Sequence, residues 1–151
     1  MLERNLVFSF LFIILIIFVI SIIGCASGGP ITSARILTEM KAVKLDISTH
    51  RSAINNLKDR RVGKTGFFYI IDTNGTVVFH PQPALIGSRF KDNWFMTKLI
   101  VEKSGCLIYQ LGNRTHVVFF DTISDSEILC VSILADDMSQ PPLECQPAET
   151  N

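Results

Sequence analysis

The sequence predicts an α+β fold: a five-stranded antiparallel sheet, a long N-terminal helix on one face, and a lid of loop and short helix on the other. Three observations carry this expectation. First, residues 33 to about 61 contain no Gly or Pro, and Ile36, Met40, Val43, Ile47, His50, Ile54 and Leu57 step by four and three, the spacing of one helix face. Second, the period then changes to short runs rich in aromatic and β-branched residues, "GFFYII", "TVVFH", "CLIYQL", "HVVFFDTI" and "ILCVSIL". The turn signals "DTNG", "LGNR" and "SDSE" separate them. Third, these runs do not alternate cleanly between apolar and polar, so both faces of the sheet must be covered. The long helix serves one face, and residues 82–103 are the only segment of adequate size for the other.

The elements follow in chain order. Residues 6–23 form one uncharged apolar run preceded by Arg4. Its length is at the lower edge of what spans a bilayer and is compatible with a secretory leader. The run ends in "IIGC" at 22–25, which resembles a bacterial lipobox, and that resemblance implies lipid on the Cys25 sulfur with cleavage before it. The other reading is an uncleaved anchor with Cys25 an incidental thiol at the membrane edge. Either way, the rest of the chain is expected to lie outside the cytoplasm, facing the periplasm or exterior. Residues 1–24 are therefore leader or anchor, 25–32 a tether, 33–138 one domain, and 139–151 a flexible, proline-rich tail.

The helix, with Ser33 as its cap and Gly63 near its end, should make a rod of about 42 Å from about 28 residues. Its narrow stripe suits packing on the sheet or pairing with a second copy through residues 36–57. His50 on that stripe reads as a seam residue.

Asn74-Gly75 is a two-residue hairpin signal. A turn at those two residues sets Tyr69 opposite His80. Tyr69, Ile71, Val78 and His80 then share one face, and Phe68, Ile70, Val77 and Phe79 the other. The wholly apolar face suits the long helix; the face with polar tips suits a pocket under the lid. "QPALIGSR" reads as loop, and "KDNWFMTKLIVEKSG" as a short helix closed by Gly105. With Gly112-Asn113 as the next turn, Tyr109 faces His116. Two Tyr/His pairs on one sheet would supply aromatic walls and hydrogen-bonding tips.

Other chemistry is limited. Fourteen basic and fourteen acidic residues cancel across 151 residues, leaving no electrostatic case for nucleic acid. The four cysteines, at 25, 106, 130 and 145, make no C-x-x-C pair, and no zinc or other metal site is expected. A disulfide among Cys106, Cys130 and Cys145 suits an extracytoplasmic chain; the alternative is buried free thiols at 106 and 130. No P-loop, G-x-S-x-G, G-x-G-x-x-G or H-E-x-x-H is present. Asp121, Asp125 and Glu127 read as solvated acids at a strand junction. "NGT" at 74 and "NRT" at 113 read as turn chemistry. No catalysis and no cofactor are expected.

The order "GKTGFFYIIDTNGTVVFHP", "LIG", a short helix, "KSGCLIYQL", a last strand and "ADD" resembles a Cache domain, and the single-Cache type in particular. The Gly66 aromatic run, Asp72, Gly75, His80-Pro81 and Gly87 are its most specific part. The resemblance covers residues 33–138. It implies a PAS-like sheet behind a long helix and an extracytoplasmic sensor that binds small metabolites, often carboxylates or amino acids, between sheet and lid. His80-Pro81 matches the family's His-Pro, Tyr109 the aromatic of its G-x-x-x-Y strand, and Asp136-Asp137 the acidic pair at the module's end. Arg89 and Trp94 match no firm family position and are nominated on chemistry, as a guanidinium for a carboxylate and an indole wall. The chain departs from the pattern in its short lid, which lacks an Asp-x-Asn-Gly stretch. The fourth strand lacks the usual lysine and has Arg114 and His116 nearby. Nothing after Asp137 reads as a kinase or methyl-accepting coil, so a separate signalling partner is expected. The competing expectation is an interaction lipoprotein with a self-filled pocket that pairs through its long helix.

Overall fold

The computed structural model describes residues 30–89, 94–140 and 145–147. The first helix, α1, spans Ser33–Thr49. Its cap is Thr32, one residue before the expected Ser33: the Thr32 hydroxyl accepts the Arg35 N–H at 3.3 Å. The expected single rod is instead two pieces. His50 is extended (φ −138°), and Arg51–Lys58 continues as a 3₁₀ segment. Two local causes are visible. The Ser48 and Thr49 hydroxyls both bond back to the Leu45 carbonyl, which competes with continued helix. A 3₁₀ turn also has three residues per turn, so Ile54 and Leu57 eclipse and both stay on the sheet side.

The stripe lies against the sheet. Ile36, Met40, Val43, Ile47 and Leu57 are buried with Phe68, Ile70, Val117, Phe119, Leu129, Val131 and Ile133. Of the two uses expected for this stripe, packing on the sheet or pairing with a second copy through residues 36–57, the chain's own sheet takes the first. His50 is exposed at the helix break rather than seated on the stripe. Ion pairs fasten the outer rim. Lys44 meets Asp121 at 2.7 Å and Arg51 meets Glu127 through both guanidinium nitrogens, so these two acids are paired rather than simply solvated.

All five expected strands form: β2 (Gly66–Asp72), β3 (Val77–Phe79), β4 (Gly105–Leu111), β5 (Arg114–Ser124) and β6 (Glu127–Leu134). Two two-residue strands, β1 (Arg61–Val62) and β7 (Gln146–Pro147), join them. The order is β1-β2-β6-β5-β4-β7, with β3 also pairing with β2. Every pair is antiparallel except β4 with β7.

The first hairpin differs from the two-residue turn expected of it. The Asp72 carboxylate accepts the N–H groups of Asn74 (2.9 Å) and Thr76 (2.8 Å), and the Asp72 N–H donates to the Thr76 carbonyl (2.9 Å). The loop is therefore Thr73-Asn74-Gly75, an Asx-type turn with Gly75 at φ 80°. One extra residue would flip every following side chain. A bulge beside Ile70/Ile71 corrects this, and Ile70 pairs with Phe79 as expected. Between turn and bulge the faces exchange: Val77, not Val78, lies on the Tyr69 side. The second hairpin keeps its two-residue turn, with Gly112 at φ 59° and Tyr109 directly opposite His116.

On the second face, α2 (Trp94–Glu102) lays Met96 and Leu99 onto Tyr69, Ile71, Leu107, Val118, Phe120, Ile128 and Cys130. The expected arrangement, helix behind and lid in front, is thus formed.

Two features fasten the ends. Cys106 and Cys145 form a disulfide with Cα atoms 4.9 Å apart, and Cys130 is the buried free thiol. Cys106 is therefore not the free thiol of the alternative reading. The disulfide seats residues 146–147 along β4, so the segment read as a flexible tail is fixed there. Asp137, one of the two acids at the domain's end, is buried. It accepts the N–H groups of Lys64 (2.6 Å) and Thr65 (2.9 Å) at the β1–β2 turn. Gly63 holds φ 64° there, and a Cβ on it would sit 2.8 Å from the Asp137 carboxylate. Ile31 bridges to Met138, so the segment before α1 lies beside the segment that follows β6.

Candidate functional site

The antiparallel registers fix which side chains share the α2 face. Tyr69 lies opposite Cys130, and Cys130 opposite Phe120; one row over, Phe67 lies opposite Ser132, and Ser132 opposite Val118. The β4–β5 pair adds Tyr109 and His116. His80 follows β3 and reaches the same group. Its ring is 5.2 Å from Phe67, edge on, and 6.0 Å from Tyr69. On the other side three rings stack: Phe95 of α2 lies 4.9 Å from Tyr109, and Tyr109 lies 5.2 Å from His116.

Burial grades across the group. Tyr69 is at the bottom, 7% exposed, whereas Tyr109, His80 and His116 are half-buried. The Tyr69 hydroxyl is the one fully buried side-chain polar atom without a hydrogen-bond partner among the described residues. Burial raises its pKa well above the ordinary phenol value. Burial also raises the Tyr109 phenol, partly offset by the Ser132 hydroxyl. The Cys130 thiol is pushed up by burial as well, which makes it inert rather than nucleophilic. Partial burial lowers both imidazoles: His80, whose Nδ1 accepts the Gln82 N–H at 3.0 Å, and His116, where the Arg114 charge adds to the effect. His116 Nδ1 lies 3.4 Å from the Ser132 hydroxyl. At neutral pH the group thus presents neutral rings, hydroxyls and a thiol.

Of the residues nominated from sequence, Tyr69, His80, Tyr109 and His116 come together. Arg89 does not join them. It bridges to Thr76, and its Nε donates to the Asn74 carbonyl (3.3 Å), which places it at the tip of the first hairpin, exposed. Four strand residues separate that tip from His80, about 13 Å. Trp94 opens α2, and its side chain lies outside the described residues, as do Cys25 and the apolar leader. Sequence reasoning missed Phe67, Phe95, Cys130 and Ser132. Phe67 carries a legible signal, two residues from Tyr69 on the same strand. Ser132, the single polar residue inside "CVSIL", carries another. Among the described residues no helix is long and apolar enough to cross a membrane, and no three metal-ligating side chains cluster.

A family model described as a Cache domain, dCache_2, matches residues 32–100, just under half of the chain. No curated protein matches the sequence. Among solved structures, a methyl-accepting chemotaxis protein from Vibrio parahaemolyticus is 17% identical, with a TM-score of 0.51 over 70% of this chain and 87% of that one. This likeness is one of fold. A Cache chemosensory domain described for carboxylic acid recognition aligns at 17% identity and TM-score 0.48, over 67% of this chain and 84% of that one. The ligand-binding domain of Mlp24, solved with asparagine, aligns at 17% identity and TM-score 0.45, over 55% of this chain. This chain spans about a third, 34%, of that domain's length.

Proposed function

We propose that this chain is an extracytoplasmic sensory module: one Cache domain, held at the membrane by its N-terminal segment, that binds a small metabolite and acts through a partner protein. The observation that carries the proposal is the gathering of Tyr69, His80, Tyr109 and His116 on the α2 face, while the buried centre of the opposite face is apolar and covered by α1, with ion pairs at its rim. Four polar-tipped rings gathered on one side give that side hydrogen-bonding chemistry that packing alone does not require. The rings offer stacking surface, and the hydroxyls and neutral imidazoles offer donors and acceptors, which suits binding rather than bond-making. The Cache match over residues 32–100 supports the sensory role. The Cys106–Cys145 disulfide supports an oxidising location. The "IIGC" stretch supports lipid on Cys25 as the tether, and mass spectrometry of the membrane-extracted chain tests that directly.

Carboxylates and amino acids are the first ligand classes to screen. Thermal melting of the full-length chain in detergent, against carboxylates, amino acids, amines and purines, tests the binding reading. A ligand at about 100 times its Kd should add about 2.7 kcal/mol. No shift with any of them contradicts it. Replacing Tyr109 and His116 by Ala should abolish a shift that Arg89→Ala leaves intact.

A further inference from the structure

The unpartnered Tyr69 hydroxyl says more about what is bound. Buried polar groups in folded proteins are almost always hydrogen-bonded, because leaving one bare costs stability. Tyr69 is 7% exposed, and its hydroxyl makes no well-formed hydrogen bond: the Cys130 thiol is close enough to interact with it but does not meet hydrogen-bond geometry. The side chains placed against it are uncharged. The Cys130 thiol stands opposite and is only a weak donor and acceptor. Tyr109, Ser132 and the His80 ring complete the polar neighbours, and Phe67, Met96 and Leu99 the apolar ones. An ionised group brought to this spot would lose its hydration, and none of these named neighbours offers it a fixed counter-charge. Charge has a place only further out. Arg114, two residues before His116, shares its face by strand alternation and is exposed at the start of β5.

Resting on the sensory reading above, we infer that the ligand sets an uncharged hydrogen-bonding group, an amide or a hydroxyl, against the Tyr69 hydroxyl and keeps any charge at the rim by His116 and Arg114. The site therefore selects the amide over the carboxylate of the same shape.

Matched pairs test this: glutamine with glutamate, asparagine with aspartate, and nicotinamide with nicotinate, titrated calorimetrically into the full-length chain in detergent. The amide of at least one pair should bind about tenfold tighter than its acid. Tyr69→Phe, which removes one atom, should weaken that amide about tenfold while leaving the unliganded melting temperature unchanged or higher. Acids that bind as well as or better than their amides overturn this inference alone. So does a Tyr69→Phe chain that melts lower and keeps its amide affinity, since the hydroxyl would then be a structural partner of Cys130. Binding by neither member of any pair overturns the inference, and the broader metabolite panel decides separately whether the sensory reading falls with it. Should Tyr69→Phe not fold, the amide-over-acid preference of the unaltered chain still decides.

Discussion

The two faces of the sheet come from the same strands, yet they end in different chemistry. Behind, Phe68, Ile70, Phe119, Leu129 and Val131 meet the stripe of α1 in an apolar layer, with charged groups at its edges, among them Arg60 over the Phe68 ring. In front, Tyr69, Tyr109, His116, Cys130 and Ser132 stand among the apolar residues under α2. Ion pairs from Lys44 and Arg51 seal the rear rim, whereas the front rim is lined by half-buried rings. Burial area stabilises both faces, but only the rear is committed to stability alone. Polar tips sit within the buried layer under α2 but only at the edges of the layer under α1, which separates holding the fold from meeting a ligand.

Substitutions should expose that division. Phe68→Ala, which empties a fully buried rear position, should cost about 3–5 kcal/mol in denaturant unfolding. Tyr109→Ala, on the half-buried front, should cost clearly less; equal losses would erase the distinction between the faces. Reduction of Cys106–Cys145, which closes a separation of 39 residues and pins the end of the chain to β4, should cost about 2–4 kcal/mol. Comparing melts with and without reductant, using Cys145→Ser as control, checks this. Unchanged ligand response after reduction would place the disulfide on the stability side.

The smallest effect is the pH dependence of the front rim. His80 and His116 titrate below the ordinary 6.5 in the folded chain because burial disfavours the imidazolium. Below that value the unfolded chain binds protons that the folded one does not, so their contribution is intact above about pH 6.5 and is lost as pH falls. His80→Gln with His116→Gln should therefore flatten the fall in stability between about pH 7 and pH 5. A steeper fall would mean that the two rings are stabilised as cations.

Much of this was legible in the sequence, for physical reasons that differ by element. Five strands, the covered faces and the Tyr109–His116 pair follow from apolar runs and from a two-residue turn that Gly112 can close at positive φ. The Tyr69–His80 pairing was read through the wrong turn. Asp72 captures two N–H groups and lengthens the loop, and the bulge then restores the register. The break at His50 depends on hydroxyls that compete for one carbonyl, which periodicity does not report. The partner of Cys106 was hidden because β7 is only two residues long and gives no strand signal. The buried role of Asp137 and the distant position of Arg89 depend on long-range contacts that no local pattern encodes.

The most direct test of the division is methyl NMR of the full-length chain in detergent, titrated with whichever metabolite raises its melting temperature most. The account predicts shifts confined to the front methyls of Ile71, Met96, Leu99, Leu107 and Val118, with those of Ile36, Ile70, Val117 and Leu129 unmoved. Shifts centred on the rear methyls, or spread evenly over both sets, would contradict it.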